Sequence, residues 1–269
     1  DALPISIMSS ILDRIIVDKQ LEVALRKQLI PIKQLEQSVL FERQSSSLCE
    51  RLKQSASGLI TEHKRRSPSK DCINQNLNIQ DVAKGYEKAG ACGMSVLTDM
   101  KYFGGSLEDL LTSRASCKMP LLRKEFIVDP YQIIEAKAYG ADVILLIAAV
   151  LGRKEIEQFS VLAQELGLEV LLEVHNQEEL YKSIMPSLNM IGVNNRNLKT
   201  FEVNLENSIM LSTLIPDEFV KISESGIRSV EDIKSLQPCG YKGFLIGENF
   251  MITENPGKAA ADFIKQLNA

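Results

Sequence analysis

The chain has 269 residues, 45% of them apolar, with 31 Lys and Arg against 35 Asp and Glu, a formal charge of −4 and a pI near 5.5. That length fits two ordinary domains or one α/β barrel, and the acidic balance excludes nucleic acid and anionic membranes as general partners while allowing a local basic cluster for an anionic substrate. Five scattered cysteines with no C-x-x-C and no nearby histidine pair exclude a zinc site and fit reduced packing residues of a cytoplasmic protein, and no apolar stretch reaches the ~18 residues of a membrane span.

The chain opens at Asp1 without a basic-then-apolar leader. Met8 is expected to be the native start, with the first seven residues an added remnant. From Ile11 to Leu29 apolar residues fall at helical spacing, and Pro31 opens a shorter helical stretch to about Leu40. After this preface the pattern becomes strand, loop, helix, repeated eight times. The strands are predicted at 58–63, 92–97, 120–126, 142–147, 169–174, 190–193, 219–223 and 243–247. Each is a short run rich in Val, Ile, Leu or Met, and polar or charged residues recur where such runs stop.

Capping residues support the division, because they satisfy the otherwise orphaned N–H groups of a helix start. Asp129-Pro130 and Asn255-Pro256 pair a cap with proline, while Ser106, Asn176 and Ser229 each precede an acidic residue three positions on. Gly140 and Gly167 stand where helices should stop. Eight strands alternating with helices predict an α/β fold, a (β/α)8 TIM barrel with an N-terminal helical extension. Residues 1–50 are read as the extension, packed on the barrel, and 51–269 as the barrel, in one structural domain overall.

In such a barrel the chemistry gathers at the carboxyl ends of the strands. Side chains alternate across a strand, so parity sorts the candidates. Glu62, Lys64, Lys124, Phe126, Glu173, Asn194 and Arg196 face the mouth; His63, Arg123 and Glu125 face the helix layer. A lone lysine at a strand end is ordinarily a solvated or salt-bridged residue, but two lysines, an arginine and two glutamates on one ring point to a site. His63 has the wrong parity and His175 lies past its strand in a polar loop, so neither is expected to be catalytic. Without a usable histidine, Ser–His and Cys–His nucleophiles and most metal chemistry drop out.

Two stretches read as anion sites: Ser223-Glu224-Ser225-Gly226 and Ile246-Gly247-Glu248, after the last two strands. Barrels often hold a phosphate there, and Gly226 and Gly247 would let the backbone come close. The first loop, Lys64 to Lys70, is basic and carries turn chemistry at Ser67-Pro68-Ser69. It reads either as a solvated loop or as a mobile basic lid over an anionic substrate.

At these residues the chain resembles the indole-3-glycerol-phosphate synthase family. The matching stretches are 60–70, 95–99, 101–106, 122–132, 192–198, 224–227 and 245–248, in family order, along with Ile11-Leu12-Asp13-Arg14-Ile15 in the preface. The resemblance implies a lyase of tryptophan biosynthesis, a decarboxylase that converts 1-(2-carboxyphenylamino)-1-deoxyribulose 5-phosphate into indole-3-glycerol phosphate. It implies Lys124 as general acid at the ribulose carbonyl and Lys64 as anion holder and acid for dehydration. Glu173 and Glu62 would stabilise the cationic intermediate and take up protons, and Asn194 and Arg196 would orient the substrate. Phosphate would lie against Ser225, Gly226, Gly247 and Glu248 with Ser67 nearby, Leu245 would line the site, and Phe126 would pack on the aromatic ring.

The cationic intermediate is conjugated with the anilino nitrogen, so the substrate is its own electron sink and no cofactor and no metal is expected. The expected partner is a small anionic phosphosugar, with no nucleic acid, no membrane and a monomeric protein. Glu125 stands where the family commonly has Asp, Asp71 replaces a glycine and Asn249 a serine. Three other readings stay open: a barrel in which Lys124 forms a Schiff base, phosphoribosylanthranilate isomerase, and a phosphosugar-binding barrel without catalysis.

Overall fold

Eight parallel strands close on themselves in chain order, β1 pairing with both β2 and β8 in the computed structural model, which describes residues 10–197 and 200–269. The strands are β1 Leu59–His63, β2 Gly93–Leu97, β3 Leu121–Lys124, β4 Val143–Ile147, β5 Glu169–Val174, β6 Met190–Asn194, β7 Val220–Glu224 and β8 Tyr241–Ile246. All eight fall within a residue or two of the predicted runs, so the (β/α)8 barrel is the fold. Met8 and the first seven residues, and Leu198 of the 192–198 stretch, lie outside the described residues.

The caps hold where the sequence placed them. The side chains of Ser106, Asn176, Ser229 and Asn255 accept from Asp109, Glu179, Asp232 and Lys258 N–H groups. Helix Tyr131–Ala138 starts one residue later than expected; the Asp129 carboxylate accepts from Tyr131 N–H at 2.9 Å.

The preface contains α1 (Ile11–Leu29) and α2 (Ile32–Leu35), and α3 (Leu48–Gln54) runs across the expected boundary at residue 50. The helix expected to reach about Leu40 stops at Leu35, because the Ser38 hydroxyl leaves the local chain to donate to Ala138 O at 2.7 Å and the following backbone closes tight turns instead. Helix α3 has no counterpart among the predicted elements, being seven residues long with a polar majority. It plugs the bottom of the barrel: Leu48 and Leu52 join Ile60, Leu122, Leu145, Leu171 and Ile222 in the interior cluster. The Glu169 carboxylate at the start of β5 accepts from its Leu48 and Cys49 N–H groups, at 2.8 and 3.1 Å. Burying a leucine such as Leu52 contributes roughly 1.5–3 kcal/mol.

Helix α1 runs over the opposite end and is fastened there by charge. Lys19, 2% exposed, lies 3.0 Å from Asp99 and 3.2 Å from Glu125, while Lys101 reaches Asp18 at 2.7 Å. None of the helices among the described residues is long and apolar enough to cross a membrane.

Candidate active site

Inward parity is set by the apolar rungs below: Ile60, Leu122, Leu171, Met190, Ile222 and Leu245 fill the barrel interior. Two residues beyond them, at the mouth, come Glu62, Lys124, Glu173, Gly192, Glu224 and Gly247. The thirteen residues proposed from sequence all line one cavity of about 730 Å³ at this end. His63 and Arg123 are buried on the helix side, Arg123 donating to Gln132 O at 2.7 Å and to Glu135 at 2.8 Å, whereas Glu125, expected to face outward as well, is buried beside Lys19 of α1 and lines the cavity.

At the centre stands Lys124, its Nζ 3.3 Å from Glu173 Oε2 and in direct contact with Glu224 Oε2. Glu62 takes the ammonium of Lys64 at 3.0 Å and the hydroxyl of Ser95 at 3.3 Å. Burial alone would discharge Lys124, yet the carboxylates of Glu224, Glu173 and Glu62 outweigh it and hold the amine firmly protonated. Burial raises the carboxyls too. In Glu173 the fields of Lys124 and His175 and a hydrogen bond from Asn194 reverse this, and in Glu62 those of Lys64 and Lys124 do so, so both stay below the ordinary carboxylate range. Glu224 alone is pushed up, to about 7, because burial and the neighbouring Glu173 exceed the pull of Lys124. Three carboxylates face two ammonium groups, and the surplus falls on Glu224.

By sequence Glu224 reads as part of an anion loop; the structure puts its side chain on the cavity floor against Lys124. Its signals were parity with Val220 and Ile222, and a glycine inside the β6 run. A Cβ on Gly192 would lie 2.2 Å from Glu224 Oε1, so the glycine gives the side chain its path across β6. Ile11, Leu12 and Ile15 of α1 were also missed as cavity wall, since their spacing reads only as a helix face. His175, set aside as a loop residue, has a side chain only 10% exposed, with Nε2 3.4 Å from Glu173 Oε1.

Asn194 Oδ1 accepts from Arg196 N–H at 3.0 Å, tying the two together, and Arg196 donates to Phe201 O at 3.3 Å. Phe126 stacks at a tilt on Phe103, centroids 5.9 Å apart, against the cavity.

Beyond β7, Ser225 (φ 67°) and Gly226 (φ 85°) both adopt left-handed backbone. For a serine this costs of order 1–3 kcal/mol and concentrates at ligand-holding turns. The glycines there have a second use: a Cβ on Gly226 would meet Val203 at 2.2 Å, and one on Gly247 would meet Glu62 Oε1 at 2.6 Å.

The first loop is only partly a basic lid. Arg65 is consumed by Asp109 and by Gly104 O at 2.9 Å, and Arg66 by Met100 O at 2.6 Å. Lys64 and Lys70 are left at the mouth. Ser67 and Lys70 close a tight turn with mutual backbone bonds of 2.9 and 3.0 Å. Lys70 crosses to Glu248 at 3.0 Å, so the loop is latched to the anion loop after β8. Burial raises the Glu248 carboxyl, but Lys70, with Lys64 and Arg196 behind it, holds it below the ordinary range. No group of three or more His, Cys, Asp or Glu among the described residues is placed to hold a metal ion.

The sequence model of the family described as indole-3-glycerol phosphate synthase matches residues 12–263. The chain is 46% identical over 260 residues to the indole-3-glycerol phosphate synthase of Bacteroides thetaiotaomicron, covering 97% of this chain and all of that one. It is 42% identical to that of Koribacter versatilis, covering 96% and 100%. In fold it is similar to KGPDC from Streptococcus mutans (TM-score 0.60, 13% identity, 78% of this chain and 97% of that one). It is likewise similar to thiamine phosphate pyrophosphorylase from Pyrococcus furiosus (TM-score 0.59, 15% identity, 79% and 96%). A family match over nearly the whole chain and relatives above 40% identity agree with the ring of charges at the barrel mouth: the chain belongs to the indole-3-glycerol phosphate synthase family.

Proposed function

We propose that the cavity at the barrel mouth closes an indole ring, turning 1-(2-carboxyphenylamino)-1-deoxyribulose 5-phosphate into indole-3-glycerol phosphate with loss of carbon dioxide and water. This is the carboxy-lyase activity of the family, a step of tryptophan biosynthesis. The single observation that carries the assignment of roles is the Lys124 ammonium held between Glu173 and Glu224 on the cavity floor.

Lys124, kept charged by its neighbours, gives its proton to the ribulose carbonyl as the aromatic carbon attacks. A positioned acid typically contributes about 10²- to 10⁴-fold. The iminium charge that develops on the anilino nitrogen meets the ionised carboxylates of Glu173 and Glu62, preorganised at no cost in reorganisation. Decarboxylation restores the aromatic ring. Lys64 holds the substrate carboxylate and supplies the proton for loss of the hydroxyl as water, while Glu173 takes the proton from carbon. Glu224, ionised in about half of the molecules near neutrality, faces Lys124 and in that form helps to keep the ammonium charged. Asn194 and Arg196 orient the substrate, and Phe126 and Leu245 pack on its ring. Ser225, Gly226, Gly247, Glu248 and Ser67 form the phosphate end.

The substrate is thus a small anionic phosphosugar, and the reading is of a cytoplasmic monomer without nucleic-acid or membrane partners. Residues 1–50 and 51–269 form one structural unit in this reading, supported by the Lys19 ion pairs and the α3 plug. Incubating the purified chain with the substrate and following indole fluorescence tests the reading. Turnover that disappears in Lys124→Ala, with folding and substrate binding retained, is the expected result. A folded wild-type chain that yields no indole, or a Lys124→Ala variant at full rate, overturns it.

A further inference from the structure

Glu173 has a neighbour that its catalytic role does not account for. The imidazole of His175, two residues past it at the end of β5, is flanked by two carboxylates. On one side Nδ1 lies 3.1 Å from Glu179 Oε2, and the same carboxylate accepts the His175 backbone N–H at 2.8 Å, so the ring is clamped to helix Gln177–Ser183. On the other, Nε2 stands 3.4 Å from Glu173 Oε1, at ion-pair range but off the angle of a hydrogen bond, which leaves it a buried ring nitrogen without a hydrogen-bond partner. The backbone oxygen of His175 accepts from Asn207 Nδ2 at 3.1 Å and fixes the loop from below.

We propose that His175 is a positioning residue for Glu173: clamped by Glu179, its imidazole holds the Glu173 carboxylate toward Lys124 and shares a proton with it through Nε2. The inference rests on the reading of Glu173 as the working carboxylate.

A neutral imidazole that donates Nδ1–H to Glu179 turns a lone pair toward Glu173, and a lone pair against an ionised carboxylate is repulsive. One proton between Nε2 and Oε1 removes the conflict. When it sits on nitrogen, imidazolium faces carboxylate; when it sits on oxygen, the carboxylic acid donates to imidazole. With His175 raised and Glu173 lowered the shared proton rests on nitrogen, and it can move to Oε1 and back: the N–H bond breaks as the O–H bond forms, and the reverse restores imidazolium and carboxylate.

Burial would discharge the imidazole, but Glu179, Glu173 and Glu224 outweigh it and raise its pKa above the ordinary value. Charged groups face this ring from each element around it: Glu179 from the helix, Glu173 on its own strand, and Glu224 across the floor, with Lys124 beyond Glu173 as the opposing cation. His63 provides an internal control, since it is the other of the two histidines in the chain and both its ring nitrogens lack partners.

The experiment uses the intact chain labelled with 15N in histidine. Following both imidazoles by NMR across pH 3–9, the His175 midpoint should fall in Glu173→Gln while His63 stays where it is; an unchanged His175 midpoint overturns the proposal. In turnover, His175→Gln keeps a donor but cannot exchange a proton. It should lower kcat about tenfold or more, leave KM within about threefold, and lose the pH dependence that belongs to the imidazole. Wild-type kcat with a wild-type pH profile overturns the proposal. Should His175→Gln fail to fold, Glu179→Gln carries the same test by releasing the clamp, with a smaller loss of kcat expected. If Glu173→Gln itself turns over at the wild-type rate, the reading of Glu173 fails; if it is slowed while His175→Gln is not, only the present inference fails.

Discussion

Lys124 and Glu224 are one hundred residues apart in the chain, and their side chains are in direct contact at the floor of the barrel mouth. Burial, with Glu173 on the same lysine, pushes the Glu224 carboxyl up to about 7 against the pull of Lys124. That places its titration near neutrality.

Glu224→Gln should remove a pH dependence centred near neutrality. Turnover that needs the ionised carboxylate rises through about pH 7 in the wild type, and the variant should show a flat profile there with kcat lowered about 10²-fold or more. Stability should move the other way. The folded carboxyl binds its proton up to about 7 while the unfolded one releases it near 4.3, so stability falls as pH rises through that interval. Relative to wild type, the variant should therefore melt higher at pH 8 than it does at pH 5, by about 2–4 °C for each kcal/mol recovered. Equal shifts at the two pH values would refute the assignment.

Gly192→Ala tests the same contact without touching a charge. The new Cβ would stand 2.2 Å from Glu224 Oε1 and must drive that side chain off Lys124. Steady-state kinetics should show kcat falling about tenfold or more. Activity at the wild-type level would mean that Glu224 has another way to reach the lysine.

Lys19→Met should be costly for a surface-helix substitution. It strands Asp99, 2% exposed, and leaves Glu125, 3% exposed, with Arg123 at 3.8 Å as its remaining cation. Removing one partner of a buried pair typically costs about 3–5 kcal/mol, readable by urea unfolding. Because Ile11, Leu12 and Ile15 of the same helix line the cavity, KM for substrate should rise as well. A variant with unchanged unfolding midpoint would show that α1 is held by its apolar face alone.

His63 should set part of the acid limit of stability. Burial, with Arg65 adding to it, lowers its pKa to about 4, below the ordinary 6.5. The unfolded chain takes up that proton first, so stability is full above pH 6.5 and falls as pH drops from there toward 4. The span corresponds to about 3 kcal/mol. Denaturant titrations of His63→Leu should show a shallower loss over this window than the wild type, and parallel curves would refute the account.

Much of this protein was legible from sequence because the relevant information was local. Strand runs, helix caps and the alternation of side chains are decided by neighbours a few residues away, which is why all eight strands and the mouth-facing parity of Glu62, Lys124, Glu173 and Asn194 could be read without coordinates. The seven-residue helix α3 was too short for its periodicity to register, and the helix after Pro31 ended early because a serine found a partner a hundred residues away. The sequence determined the barrel and which residues stand at its rim. Only the tertiary structure decided that Glu224 joins Lys124, that His175 stands between Glu173 and Glu179, and that α1 forms part of the cavity wall. These depend on closure and register of the whole sheet, on where long side chains end once burial and opposing charge select a rotamer, and on which neighbours then share a proton.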